Sequence, residues 1–497
     1  MKMKRIYYAL ISLFLITACI LTTAACSDNS GKSDAETTTV GENAETETAA
    51  ETQVSDDLPD ADLGGFQFRI LVFDNPDGTQ TSQVYVDEMT GSVVNDAVYS
   101  KIATVEERFN VDVVLAEGSS QGKSTGDEMG VVRNSILSGD DIFDVATAHD
   151  ISMGNFSLEG YFLNVYDIPY LNFDKPWWPE YTIESLTVGD QMFFISNTMS
   201  YHMLGATRVM YFNKTTMTDL GLEMPYGYVK DGSWTLDKMN SITKLGYQDL
   251  NGNNEVDDAD SFGFVNPKYY YCFLEPFNNE PYRKDENGSL YYEFDVDFFS
   301  TLTEKFYSLL FGEGGLQVPG GDDMTKIFMD GRAMFVYEGL GNAVNKFSHS
   351  DVVYGILPMP KMNEAATTYY SGCTDRPYAV PMTINPDNLE NIGLVIEALS
   401  AEGYRQVMPA YFELALKVRY ADQTEDAEMI DIVQQNAILS RNYLYGNYAS
   451  PYLSLLETLF NAKTPSTDVA SYSAKNENAQ IARCEKIMTD FDNIANQ

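Results

Sequence analysis

From residue 64 to residue 150 the chain alternates between two hydrophobic periods that one kind of backbone cannot serve. GGFQFRILVF (64–73) is an apolar run of strand length, closed by Asp74-Asn75-Pro76 as a loop. VVNDAVYSKIATVEERF then sets Val94, Ala97, Val98, Ile102, Val105 and Phe109 at helical spacing, an apolar stripe that needs a sheet to cover. NVDVVLAE returns as a strand, VVRNSILSG as a helix and DIFDVATAHD as another strand. This alternation predicts an α/β fold with a mostly parallel, doubly wound sheet, and places binding groups at the carboxyl ends of its strands.

What precedes residue 64 reads as targeting rather than fold. Lys2, Lys4 and Arg5 stand before an apolar stretch from Ile6 to about Leu21, and Thr23-Ala24-Ala25-Cys26 closes it in small residues. This resembles a lipoprotein signal peptide (1–25) cleaved before Cys26, which would carry the lipid. Cys19 ends a similar short pattern, but apolar residues follow it, whereas a polar tether follows Cys26. The apolar stretch, about 16 residues with Ser12, Thr17 and Cys19 inside it, is short for a membrane span. Residues 26–62 are rich in Ser, Thr, Ala, Glu and Asp and lack aromatic side chains, so they predict a disordered, self-repelling acidic tether. The body from Leu63 onward, 497 − 62 = 435 residues, is too long for a single core.

Net charge narrows the partners. The chain carries −41, and without residues 1–25, which hold three basic and no acidic side chains, −41 − 3 = −44. A field of that sign repels nucleic acid and anionic headgroups, so neither is an expected partner and membrane contact is expected through the lipid anchor only. Cys272, Cys373 and Cys484, widely spaced and odd in number, suggest no disulfide framework. Three histidines (His149, His202, His349) leave little material for a zinc centre.

The stretch 207–264 carries the family resemblance. Val209–Phe212 reads as a buried strand, NKTTMTDLGL as a short helix closing on Gly221, and SWTLDKMNSITKLG as a second helix stopped by Gly246. Strand, "FNK", helix, "GLE", a Trp at a helix start and then "FGF" resemble the crossover segment of the family 1 extracellular solute-binding proteins of ABC importers. "DGRAMF" (330–335) is similar to the family's "GkaAM" signature, and GILPMP to its "LP.P" loop. FDVATAHD resembles the third strand of the maltose-binding-protein-like members, and KPWW (175–178) a stretch in a Gram-positive branch.

The resemblance implies two doubly wound lobes joined by a hinge, periplasmic-binding-protein-like, with a helix-rich C-terminus. By it, residues 63–203 with 382–417 form the N-terminal lobe and 204–381 with 418–497 the C-terminal lobe, the first crossing falling at 200–206. Helices are expected at about 387–401, 403–416, 426–440, 450–461 and 467–491. The matching aspartate, Asp150, would lie at a sugar, where a carboxylate can accept from two vicinal hydroxyls; it could equally cap the next helix. Trp177 and Trp178 sit between two prolines in a loop, and an indole face packs against a pyranose, although a tryptophan is more often core. Tyr337 and Glu338 end the strand of the "DGRAMF" signature, and Arg376 precedes the return crossing; these complete the expected ligand contacts.

A second signal lies in the loop from Asp249 to Asp260. Asp249, Asn251, Asn253, Glu255, Asp257 and Asp260 occupy positions one, three, five, seven, nine and twelve of a twelve-residue loop, with Val256 at the apolar eighth position. This is the EF-hand pattern of calcium ligands, position seven acting through its carbonyl. Asn254 replaces the usual glycine and Asp260 the usual glutamate, as in dockerin-type loops. A structural Ca2+ is therefore expected.

These features together predict a lipid-anchored protein on the outer face of the cytoplasmic membrane. It would bind an oligosaccharide by hinge closure, as a monomer, and deliver it to ABC permease subunits. No catalysis is expected: HExxH and cysteine–histidine signatures are lacking. A secreted glycan hydrolase, which needs only a suitably separated carboxylate pair, and a calcium-dependent adhesion or peptide-binding protein are the alternatives.

Overall fold

The computed structural model describes residues 54–496 apart from 75–79, 118, 122–127, 269, 348–349 and 418–423. The expected signal peptide, Cys26 and the tether up to residue 53 lie outside the described residues. Residues 54–497 make one compact unit, in which two β-sheets each gather a core.

The first sheet is built on β1 (Phe66–Asp74), where Phe68, Ile70, Leu71, Val72 and Phe73 are all buried. A strand apolar on both faces belongs inside a sheet that helices cover on both sides. It pairs in parallel with β2 (Val111–Leu115), β3 (Ser120–Gln121) and β4 (Val145–Thr147). Between β1 and β2, α1 (Val93–Phe109) buries Val94, Val98, Ile102, Val105 and Phe109, the stripe that the spacing predicts. It ends on Asn110 at φ +50°, a left-handed cap that asparagine tolerates. The stripe also holds a charged residue, Lys101, which is 0% exposed. After β4 the chain turns directly into α2 (Asp150–Ser157).

The chain then crosses through α3 (His202–Ala206) to the second sheet. Its strand order is β11 (Tyr354–Leu357), β5 (Arg208–Asn213), β10 (Ala333–Gly339), β6 (Phe262–Pro267), β9 (Gly315–Val318). β10 runs antiparallel to β5 and parallel to β6, so this sheet is mixed. Phe212 and Phe335 pack into one hydrophobic cluster and their neighbours Tyr211 and Val336 into another, the alternation that covers both faces.

The return follows a different course from the one the resemblance implies. β12 (Ser371–Cys373) pairs in parallel with β14 (Ala437–Leu439), and β13 (Tyr378–Ala379) already joins the first sheet, antiparallel to β4. The chain is thus back in the first lobe by Tyr378, ahead of the expected boundary at 381. Helices α4 (Leu389–Glu402) and α5 (Met408–Lys417) follow, with a π-helical turn at 403–407 between them. The helix expected over 426–440 stops at Gln435 (α6, Thr424–Gln435), because the next residues are taken into β14; strand pairing outweighs local propensity.

The stretch 418–497 divides between lobes. Met429 and Leu456 pack in the second lobe, but α7 (Arg441–Leu444) lies against α2, where Gly154 leaves room for Leu444. Cys484, Ile487 and Phe491 of α8 (Val469–Ala495) belong to the first-lobe core. So do Tyr282 and Leu290 of a hairpin, β7 (Tyr282–Lys284) and β8 (Leu290–Tyr292), which reaches across from the second-lobe segment.

The expected tether is also ordered at its described end. Asp56 is 7% exposed and ion-paired to Arg108 at 2.7 Å and to Arg405 at 3.1 Å, while Lys175 meets Asp57. The Leu58 N–H also donates to Asp56 Oδ1 at 3.1 Å, and Leu58, Ala61 and Leu63 pack on the first-lobe core, so charge and apolar contact together fix this segment.

Candidate functional site: the interlobe cleft

At the junction of the lobes lies a cleft of about 790 Å3. The first lobe supplies Gln80, Ser82 and Gln83, which follow the carboxyl end of β1, and Asn95 at the start of α1. The second lobe supplies Asn342, Asn345 and Lys346, which follow β10. Tyr201 and His202 of the crossing and Tyr411 of α5 complete the wall. The backbones come close at its base: Gly341 N–H donates to the Gly205 carbonyl at 2.8 Å, and a Cβ on Gly205 would stand 3.1 Å from the Tyr411 hydroxyl.

The chemistry of this wall is neutral and polar. Among the described lining residues there is no Asp or Glu, and Lys346, 3.5 Å from Asp322, carries the formal charge. The His202 ring meets Gln83 Oε1 at 2.8 Å through Nδ1. Burial, with Arg376 and His149 nearby, pushes its pKa down to about 3, so it stands as neutral imidazole. The Tyr201 and Tyr411 rings lie 5.2 Å apart at 38°, an aromatic platform beside the amides. Amides that can both donate and accept, set beside aromatic faces, suit a ligand whose hydroxyls do both and whose ring faces are apolar.

The residues singled out from the sequence fall in three places. Glu338 and Arg376 are next to the cleft. Glu338 Oε2 accepts from Asn342 Nδ2 at 3.0 Å and from Arg208 at 3.3 Å, and Arg376 is tied to the Phe73 carbonyl at 3.0 Å, within electrostatic reach of His202. Asp150 lies beneath, 2% exposed: His149 Nδ1 is 2.9 Å from Oδ1, the Ile151 N–H donates to Oδ1 and the Asp375 N–H to Oδ2. Asp375 itself is pushed up to about 7 by burial, against the hydrogen bond from Ser196.

Trp177, Trp178 and Tyr337 are placed in cores instead. The two indoles, 0% and 3% exposed, donate to opposite oxygens of Glu397 at 2.8 and 2.9 Å, and Phe173 packs edge-on against Trp178. Burial pushes the Glu397 carboxyl up, opposed by those two bonds. Two prolines do keep the segment irregular, but they turn the rings inward. Tyr337, 2% exposed, stacks on Phe273. Of the cleft residues that sequence reasoning passed over, Gln80, Gln83 and Asn342 follow strand ends, Tyr201 lies along the crossing, and Asn95 and Tyr411 are on α1 and α5. Position after a strand's carboxyl end was the available signal; side-chain rarity, which favours tryptophan, was not.

The loop 249–260 closes on itself. Asp249 accepts from the Gly252 and Asn254 N–H groups at 2.7 and 2.9 Å, and Asp260, 0% exposed, from Leu250 at 3.2 Å. Asn254 takes φ +58°, the left-handed conformation its position demands. Asn251 and Asn253 turn their Nδ2 groups to Asp257, at 3.2 and 2.8 Å. A cation would require both amides to rotate so that oxygen replaces nitrogen. Among the described residues no three His, Cys, Asp or Glu side chains converge as a metal site.

No family model matches the sequence, and no curated relative is found. Solved structures do match. The GacH receptor of Streptomyces glaucescens, determined unliganded and with acarbose, superposes with a TM-score of 0.55 at 13% identity, over 84% of this chain and 99% of that one. Lmo0181 of Listeria monocytogenes, an ABC substrate-binding protein in complex with cycloalternan, gives 0.52 at 12% over 83% and 99%. Maltose-bound MalE3 of T. maritima gives 0.53 at 15% over 83% and 99%. At such identities the likeness establishes the fold: this chain has the two-lobed α/β fold of the ABC solute-binding proteins.

Proposed function

We propose that the chain is the substrate-binding component of an ABC importer and binds an oligosaccharide in the interlobe cleft. The observation that carries this reading is the cleft wall itself, formed by both lobes from neutral amides, hydroxyls and the Tyr201–Tyr411 pair, with no carboxylate among the described lining residues. Structural neighbours whose ligands are acarbose, cycloalternan and maltose support it. Ligand contacts from both lobes would favour a narrowed cleft, since only a state that gains contacts is selected by binding. The protein binds and releases; no chemical step is proposed. Lipid attachment at Cys26 and delivery to permease subunits belong to the same reading.

Calorimetric titration of the protein with neutral oligosaccharides tests it, with product analysis of the same samples. Saturable binding without product, weakened about tenfold or more by Gln83→Ala and by Asn342→Ala, is expected. Binding that survives both substitutions, or turnover of the sugar, refutes the reading. For the acidic loop we infer a structural Ca2+ site, formed once Asn251 and Asn253 turn their oxygens inward. The pattern of oxygen-bearing residues and the left-handed Asn254 support it.

A further inference from the structure

On the far side of the crossing from the cleft lies a second cavity, of about 400 Å3. α3 is the partition between the two. Its Tyr201, His202, Gly205 and Ala206 side borders the cleft, and its Met203, Leu204 and Thr207 side borders the rear cavity. α5 is shared in the same way, with Tyr411 in front and Met408 and Phe412 behind. The first lobe closes the rear cavity with Pro176, Pro179 and Tyr181, and the second lobe with Gln434 and Ala437.

The lining states what it can take. Among the described lining residues none is charged, in a protein of net charge −41. Flat rings (Tyr181, Tyr404, Phe412) and adaptable thioethers (Met203, Met408) stand beside neutral polar side chains such as Asn197, Thr198 and Thr207, which suits an uncharged aromatic body. Gln434, a lining residue, keeps its Nε2 buried without a hydrogen-bond partner, an unmet donor that a ligand acceptor would satisfy. The volume is within the range of small-molecule sites.

We propose that this rear cavity is a second binding site, for a small uncharged aromatic compound bearing a carbonyl oxygen, and that filling it favours the state in which the cleft is narrow. The coupling follows from the shared partition. The two spaces lie on opposite sides of the crossing segments, so a swing of the lobes that narrows one widens the other. A compound that holds the rear space open selects the narrow-cleft state, and by reciprocity a cleft ligand tightens binding behind.

The test uses 1-indanone as probe, with indane lacking the carbonyl and benzoate carrying a charge, each titrated into the full chain by calorimetry. Saturable binding of 1-indanone is expected, about fivefold weaker for indane and undetectable for benzoate. Ala437→Trp and Met408→Trp, on different elements, each fill the cavity and should abolish binding while thermal melting reports a folded protein. In a Cys19→Ser, Cys26→Ser background, dyes at Asp112→Cys and Asp219→Cys, exposed positions on the two lobes, read the swing, the native Cys272, Cys373 and Cys484 being buried. Saturating 1-indanone should shift their energy transfer. No saturable binding, equal binding of benzoate or indane, or binding retained in both tryptophan variants overturns the site. Unchanged energy transfer at saturation overturns the coupling. None of these readouts uses a sugar, so they are separate from the reading of the cleft.

Discussion

Lys101→Met should change how the stability of this protein depends on pH. Lys101 is 0% exposed on the apolar stripe of α1, and its Nζ donates to the carbonyls of Met199 at 2.8 Å and Val84 at 3.2 Å. Among the described residues no carboxylate pairs with it, and burial pushes its pKa down from 10.5 to about 7. The unfolded chain holds the proton up to about 10.5, the folded chain only to about 7. Below about 7 the folded state therefore carries the full cost of a buried charge. As pH rises from there toward 10.5 the folded state sheds the proton first, and stability recovers by as much as about 5 kcal/mol.

Methionine fills the same space without a charge, and leaves two carbonyls unpaired at about 1–3 kcal/mol each. The two effects oppose, so the variant should match or exceed the parent near pH 6. Near pH 9.5 the parent should have gained about 3 kcal/mol relative to the variant. Urea denaturation of both proteins across that range, at constant m, measures the difference. Parallel stability curves would refute the reasoning, because they would mean that the amine keeps one protonation state throughout.

Glu397→Ala removes the acceptor of two buried indole N–H groups and should cost about 3 kcal/mol in urea denaturation. A loss below about 1 kcal/mol would return Trp177 and Trp178 to the list of possible ligand contacts. Asp56 is held at about 2, burial being outweighed by Arg108 and Arg405, below its ordinary 3.8. It contributes about 2 kcal/mol that is present above pH 4 and lost as pH falls through 2. Asp56→Asn should flatten acid denaturation in that window, and unchanged acid denaturation would refute the role of the Asp56 ion pairs. For the loop, Ca2+ should raise the melting temperature over EDTA by about 3 °C or more, and Asp249→Asn should abolish the rise. No Ca2+-dependent shift in the parent would remove the ion from the proposal.

The lobes were legible because their evidence is periodic. Phe66–Asp74 and Val93–Phe109 announce strand and helix by spacing alone, and both occur where the spacing puts them. What was not legible depends on contacts distant in sequence. Ala437–Leu439 reads as helix until β12 pairs with it, and the C-terminal helix reads as second lobe until Phe491 meets Phe193 in the first. The tryptophans show the same limit at the site. A KPWW loop offers an indole to solvent or to a core with equal grace, and only the carboxylate of Glu397, more than two hundred residues later, decides.

Charge ties the site to the rest of the molecule. The chain carries −41, yet no described residue lining its cleft is a carboxylate; beside it Glu338 pairs with Arg208, and Asp150 Oδ1 lies 2.9 Å from His149 Nδ1. Asp375, raised to about 7 by burial, accepts a hydrogen bond from Ser196. A surface field of one sign repels anionic ligands at a distance, while a wall whose described residues hold no carboxylate offers a cation no ion pair at contact. An uncharged ligand, held through many weak amide contacts from both sides, is the chemistry that these two facts leave together.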